Sequence, residues 1–591
     1  MLRFLKNIVA IAVGFIVALI LLFFIGTFWL ITATSSTSSQ VDIKSNSVLV
    51  ISLKGELNDR QTVDPLAKLS GEDPGLGLDD LTRAIGQAKA DDHIVGILLK
   101  AGELTAGTAS IGELRTALND FKQSGKFITA YADRYQQNTY YLCSVADRVL
   151  LNPQGGIVWV GLASTPMFYK NMLAKLGIEM QVFKVGTYKS AVEPYTSTQM
   201  SEANREQVTH LLHGMWGKMT ADVAGSRGLT VEQVNAAAER VPLLRAASKS
   251  VQMGLADTLL YRIDLEDYLK QQAGIDKDDK LHTVSVDDVI NAGGKTIKDK
   301  SGDVIAIYYA SGTIVENQDN YSPIYGSGPY IVGNEVAGDL LDLRDDDKVK
   351  AVVFRVNSPG GSAFASEQIW NAVSELKKKK PVIVSMGDYA ASGGYYISCN
   401  ADVIVSNENT LTGSIGIFGL YPNLQKTAEM VGLDFDVVKT NTYSDFGAFY
   451  RPMNEGEKQI MQSYIEEGYD TFLTRCSDGR GIDKDELNKI AQGRVWSGTD
   501  AVGLGLVDEI GDLDRAISIA AERAGLDDYT LKDFPVQRSV WESLIEALNE
   551  LAEAKAMSKV GSVGRQLMLL KSMAEDDHIQ ALMPYQIINN K

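Results

Sequence analysis

The chain has 591 residues, with 57 basic and 75 acidic side chains for a formal charge of -18 and an apolar fraction of 45%. That fraction is ample for packed cores and excludes a mostly disordered chain, and at about 150 residues per domain the length points to several domains or one large duplicated one. The acidity argues against a nucleic-acid partner, which would call for a basic patch. Three unevenly spaced cysteines, Cys143, Cys399 and Cys476, with no Cys/His cluster, argue against a disulfide framework or a metal site.

From Ile8 to Ile31, 24 consecutive positions carry no charge, more than the roughly 20 residues that cross a bilayer core. Arg3 and Lys6 precede the run, and the Ser/Thr-rich, uncharged stretch Thr32–Gln40 follows it. By the positive-inside rule the N-terminus is expected in the cytoplasm and the bulk of the chain on the other side. A cleaved signal peptide would have an apolar core of only about 7–15 residues. Residues 1–34 are therefore expected to form a cytoplasmic N-terminus and a single transmembrane anchor.

Beyond the anchor the chain repeats itself. Tyr140-Tyr-Leu-Cys-Ser-Val-Ala-Asp147 echoes Tyr395-Tyr-Ile-Ser-Cys-Asn-Ala-Asp402, and Asp92–Leu99 echoes Asp347–Phe354 in the same register. Thr187-Tyr188 against Thr442-Tyr443 continues the alignment. Two copies of one fold, residues 46–275 and 301–535, are the simplest account. Residues 276–300, rich in Asp, Lys and Gly, read as the linker. Residues 536–591 read as a helical C-terminal extension, with an amphipathic stretch from Trp541 to Met573.

Within the second copy, Val304–Tyr309, Ala351–Val356 and Val382–Ser385 read as buried strands, and Ala365–Lys378 has helical apolar spacing with a lysine-rich end. Strand–helix–strand order implies an α/β fold with a parallel sheet. Three small-residue turns stand out. Asn357-Ser-Pro-Gly-Gly-Ser362 follows a strand and opens a helix, and its Gly360 and Gly361 let the backbone aim N–H groups at a developing anion. Tyr389-Ala-Ala-Ser-Gly-Gly-Tyr395 puts Ser392 at a strand-to-helix turn beside the Gly393 N–H. Thr412-Gly-Ser-Ile-Gly416 adds a third hydroxyl, Ser414. Each alone reads as a helix cap; their succession at strand ends points to a site.

A nucleophilic serine needs a base, yet none of the five histidines (His93, His210, His213, His282, His578) falls in the second copy. His210 and His213 read as surface or packing residues. The repeat offers another candidate. Opposite Ser392 the first copy has Gln137, and opposite Gly360-Gly361 it has Thr105-Ala106. Conversely, Lys189 of the first copy stands opposite Ser444 of the second. One site shared between the copies, with Ser392 from one and Lys189 from the other, explains both losses.

The motifs Gly186-Thr-Tyr-Lys-Ser-Ala-Val-Glu-Pro194, Asn357-Ser-Pro-Gly-Gly361, Ala391-Ser-Gly-Gly-Tyr-Tyr396 and Thr412-Gly-Ser-Ile-Gly416 resemble those of the signal peptide peptidase A (protease IV) family, in its long tandem-repeat bacterial form. The resemblance implies a Clp-protease/crotonase-like α/β fold in both repeats and a serine endopeptidase with a Ser/Lys dyad and no cofactor. It implies Ser392 as nucleophile, Lys189 as general base, Ser414 orienting the lysine, and Gly360, Gly361 and Gly393 around the oxyanion hole. It also implies hydrophobic peptide substrates, chiefly signal-peptide remnants, a homotetramer, and a bacterial inner membrane location with the catalytic bulk periplasmic. A lysine acts as a base only when neutral, and lowering its pKa from about 10.4 toward 7–8 costs the charged form roughly 4 kcal/mol, so an apolar, buried cleft between the copies is expected. The rival readings are a catalytically silent membrane scaffold of the same fold and an acyl-CoA enzyme.

Overall fold

A computed structural model of the chain describes residues 42–61, 75–293, 302–317, 329–536 and 579–583. The expected anchor (1–34) and the amphipathic stretch 541–573 lie outside the described residues. Among the described residues no helix is long and apolar enough to cross a membrane.

Each copy is built on a parallel sheet. The first runs in the order Leu76–Gly77, Ser47–Asn58, Ile94–Thr105, Phe127–Tyr135, Arg148–Ile157, Thr258–Leu259. In the second, Val304–Ser311, Val349–Ser358 and Val382–Ala391 are the central strands; Leu411–Gly413 and Val403–Ser406 both pair with Val382–Ala391. The strands expected at Val304, Ala351 and Val382 are present, and the helix expected over 365–378 is Ala363–Lys377. Runs such as Val352-Val-Phe354 are buried on both faces, as parallel strands covered by helices require. The three cysteines are free and buried.

Of the segment expected as a linker, 276–300, the described residues 282–293 contribute to the first copy. His282–Val284 pairs in parallel with Ser47–Leu49, and helix Val286–Gly293 follows it. Thr530–Phe534 pairs with Val304–Tyr308 in the same way in the second copy. In the segment expected as a linker, Leu281, Val284, Val286 and Val289 are scattered among charged and polar residues, so its overall polarity hid the strand and helix.

Several contacts join the copies, among them a strand pairing, a helix cap and a buried ion pair. First, Glu179–Lys184 of the first copy pairs antiparallel with Phe418–Asn423 of the second over six residues, giving a composite third sheet. Second, the buried Asp388 accepts hydrogen bonds from the Ala109 and Ser110 N–H groups (2.9 and 3.0 Å) and from the Ser110 hydroxyl (2.6 Å). It thereby caps helix Thr108–Lys122 of the first copy, where a Cβ on Gly107 would stand 2.0 Å from the Asp388 carboxyl carbon. Third, the buried Arg355 guanidinium bonds to Asp59 (2.9 Å) and Glu113 (2.8 Å), both of the first copy. Removing one partner of such a buried set costs about 3–5 kcal/mol, because the remaining charge is stranded.

Candidate functional site

Strand Val382–Ala391 ends at Ser392, and a one-turn helix, Gly393–Tyr396, follows directly. Ser392 has φ 55° and ψ −114°, a conformation that costs a non-glycine residue on the order of 1–3 kcal/mol. Two backbone bonds hold it there: its N–H donates to the Gly413 carbonyl, and its carbonyl accepts from the Tyr396 N–H, both at 2.8 Å. In the first copy the residue in register, Gln137, is the first residue of a regular helix. Its side chain bonds to the backbone of Val160 and Gly161. A glutamine stitched into the backbone fills the place that a strained serine has in the second copy.

Lys189 reaches Ser392 across 203 positions of sequence, with Nζ 2.7 Å from Oγ. The amine also lies 3.2 Å from both the carbonyl oxygen and Oγ of Ser414. Ser414, too, has a positive φ, 51°. Lys189, Ser392 and Ser414 are all fully buried. Burial pushes the Lys189 amine well below its ordinary pKa, since the charged form cannot be solvated and no carboxylate contributes to its shift. A neutral amine has two N–H donors and one lone pair. Two Ser414 oxygens take the donors, and the lone pair is left to accept the Ser392 hydroxyl proton.

The lysine turn is clamped by a segment that sequence reasoning missed, Gln492-Gly493-Arg494. The Gln492 carbonyl accepts from the Tyr188 N–H (2.9 Å), the Gly493 N–H donates to Ile415 (2.8 Å), and the Arg494 carbonyl accepts from the Ser414 N–H (2.7 Å). The Arg494 guanidinium stacks on the rings of Tyr188 and Trp496, 4.7 and 4.3 Å from their centroids. From the first copy, Gln207 donates to the Tyr188 carbonyl and the Ser190 hydroxyl, both at 3.1 Å, and accepts from the Val495 N–H at 3.2 Å. The only sequence signal was the glycine itself, which is unremarkable among 53.

Gly360 and Gly393 face each other: a Cβ on Gly360 would stand 2.8 Å from the Gly393 nitrogen, and one on Gly393 would be 3.1 Å from the Gly360 Cα. Gly360 has φ 104°, closed to most side chains. Gly361 pairs with Ile314, whose carbonyl leaves no room for a side chain on it. Asn357, at the head of this turn, donates to Asp59 of the first copy (2.9 Å) and accepts from the Tyr389 N–H (3.1 Å). All six expected site residues therefore converge, while Ser444 stands apart in an exposed turn, bonded to Asn441. His210 is outside the cluster, paired with Asp500 at 3.0 Å. Among the described residues there is no group of side chains suited to hold a metal ion.

The profile of Peptidase family S49 matches residues 120–276 and again 374–527, once in each copy, and that of Clp protease matches 330–405. Protease 4 of Haemophilus influenzae is 36% identical over 535 residues, covering 87% of this chain and 86% of its own. Protease 4 of Salmonella typhi is 36% identical, over 79% and 75% of the two chains. The chloroplastic serine protease SPPA of Arabidopsis thaliana is 32% identical, over 82% and 70%. With both sequence copies matched, the α/β fold seen in each, and relatives in three organisms 32–36% identical over 70–86% of their own length, the chain belongs to Peptidase family S49.

Proposed function

We propose that this chain is a membrane-anchored serine endopeptidase that hydrolyses apolar peptides, chiefly cleaved signal peptides, through a Ser392/Lys189 dyad shared between its two copies. The observation that carries this reading is the fully buried 2.7 Å approach of Nζ to Oγ. Neutral Lys189 takes the hydroxyl proton as Ser392 adds to a peptide carbonyl. The protonated amine then delivers that proton to the leaving nitrogen, and water releases the acyl group by the reverse exchange. Ser414 holds the amine throughout. The Gly393 N–H and one from the Gly360-Gly361 turn receive the developing oxyanion, a contribution worth about 3–4 kcal/mol per donor in comparable sites.

Apolar substrates follow from the same burial, because a cleft that keeps lysine neutral disfavours charged side chains beside the scissile bond. The uncharged run Ile8–Ile31 and its flanking charges support a single-pass anchor in a bacterial inner membrane with the catalytic bulk periplasmic. Exposed apolar side chains, among them Met430, Val431, Leu433, Phe435 and Val438, support a homotetramer by offering surface for neighbouring copies.

The experiment mixes Lys189→Ala chains with Ser392→Ala chains under subunit exchange and follows cleavage of an apolar peptide. Each variant alone, and the mixture, are expected to be inactive, because base and nucleophile act within one chain. Normal cleavage by both single variants would overturn the dyad, and recovery in the mixture would place it between chains.

A further inference from the structure

The strand Ile579–Leu582 lies inside the candidate cleft. It runs antiparallel to Gly360–Ser362 on one side, with Gly361 opposite Ala581, and to Phe418–Gly419 on the other, with Phe418 opposite Gln580. The Met583 N–H extends the pairing by donating to the Pro359 carbonyl at 2.7 Å. An extended segment that completes a sheet between two strands is bound mainly through its backbone, with pockets for its side chains supplying preference.

The position of one carbonyl sets this strand apart from ordinary sheet packing. The Ala581 oxygen enters the gap between the two glycine turns: a Cβ on Gly360 would stand 1.9 Å from it, and one on Gly393 would stand 3.1 Å away. The side chains are seated as well. Ala581 is fully buried, Leu582 packs on Val192, Phe418 and Leu420, and Met583 is buried with Leu211, Ala391, Leu411 and Val495. Seats for Leu582 and Met583 come partly from the first copy, through Val192 and Leu211.

We propose that the C-terminal segment is a substrate of its own chain, cut between Ala581 and Leu582. This rests on the Ser392/Lys189 reading above. The carbonyl that faces the oxyanion glycines marks the bond attacked. Ser392 Oγ bonds to the Ala581 carbonyl carbon as Lys189 takes the hydroxyl proton. The Ala581–Leu582 C–N bond then breaks as that proton passes to the Leu582 nitrogen, and the peptide Leu582–Lys591 leaves. Water, deprotonated by Lys189, displaces Ser392 from the acyl group, and the chain ends in the Ala581 carboxylate. Small Ala581 before the bond, with apolar Leu582 and Met583 after it, defines the sequence that the cleft accepts in this register.

The test is intact-mass measurement of the full chain in detergent over time, with hydrolysis of an added apolar peptide followed in the same samples. The mass is expected to fall by that of Leu582–Lys591, with first-order kinetics independent of chain concentration, and a peptide beginning at Leu582 appears. Ser392→Ala and Ala581→Trp chains are expected to keep Lys591. A wild-type chain that hydrolyses the added peptide through many turnovers yet keeps Lys591, or is cut at another bond, overturns the proposal and leaves the dyad standing. Loss of both activities overturns the dyad, and the proposal with it.

Discussion

Gly493 lies so close to Lys189 that a Cβ built on it would stand 2.6 Å from the lysine Cβ and 2.7 Å from its Cα and backbone nitrogen. The glycine also has φ 75°, so both space and conformation demand it. Contact of this kind fixes where the lysine stem begins, and hence where its amine ends, with no polar bond to the amine itself.

Gly493→Ala should therefore shift Lys189 by a few tenths of an ångström or more and lower kcat by about 10- to 100-fold, the scale set by small misplacements of reacting groups. The value of KM should move far less, because the peptide-binding strands are not touched. Steady-state kinetics on an apolar peptide checks this; an unchanged kcat would show that the clamp does not set the lysine's position.

Lys189→Met should abolish peptide hydrolysis and yet raise thermal stability. The depressed amine binds fewer protons in the folded chain than in the unfolded chain, so stability rises with pH from the folded pKa to the ordinary lysine value. At neutral pH the wild type still bears the cost of burying that group. An isosteric thioether removes it, and Tm is expected to rise by at least about 2 °C, the response of a domain this size to roughly 1 kcal/mol. Calorimetry at several pH values reads both the gain and the flatter pH dependence of the variant.

Glu113 gives a pH effect at the joint between the copies. Burial pushes its carboxyl up to about 7, against the pull of Arg355. A carboxyl with a raised folded pKa binds more protons in the folded state, so its contribution is fully present below about pH 4.5 and is lost as pH rises through about 7. Thermal melts should show the wild type losing stability across that window relative to Glu113→Gln. Parallel curves for the two proteins would contradict the assignment.

Gln207 links helix Glu202–Arg227 to the lysine turn and to Val495. Gln207→Leu leaves the Val495 N–H and the Tyr188 carbonyl without these partners, at about 1–3 kcal/mol for each group left unsatisfied. The expected result is a lower Tm together with a reduced kcat, and little change in KM. A loss of stability with undiminished kcat would make Gln207 a packing residue only.

Much of this site was legible in the sequence because the duplication supplied an internal comparison. Gln137 against Ser392 and Ser444 against Lys189 are differences between two copies, and a missing group in each copy points to one shared centre. Buried strands such as Val349–Ser358 announce themselves through uninterrupted β-branched runs. What stayed hidden depends on pairings with no local signature. Glu179–Lys184 is a short, mixed strand whose partner is some 240 residues away. Asp388 reads as one more loop carboxylate until Gly107 is seen to vacate the space it fills. The strand Ile579–Leu582 is four residues long, and its meaning lies wholly in the Gly360 and Gly393 turns on which it rests.

The composite sheet also has a temporal consequence. The ribosome completes Lys189 and its strand Glu179–Lys184 long before Phe418–Asn423, the strand that they need, has been made. At about 5–20 residues per second, the 203 residues between Lys189 and Ser392 correspond to roughly 10–40 s of synthesis. On the proposed dyad, the emerging chain holds during that interval a base without a nucleophile, and afterwards a nucleophile whose strand partner must still dock. A protease divided in this way is silent throughout its own birth, when unfolded chain, including its own, is most abundant around it.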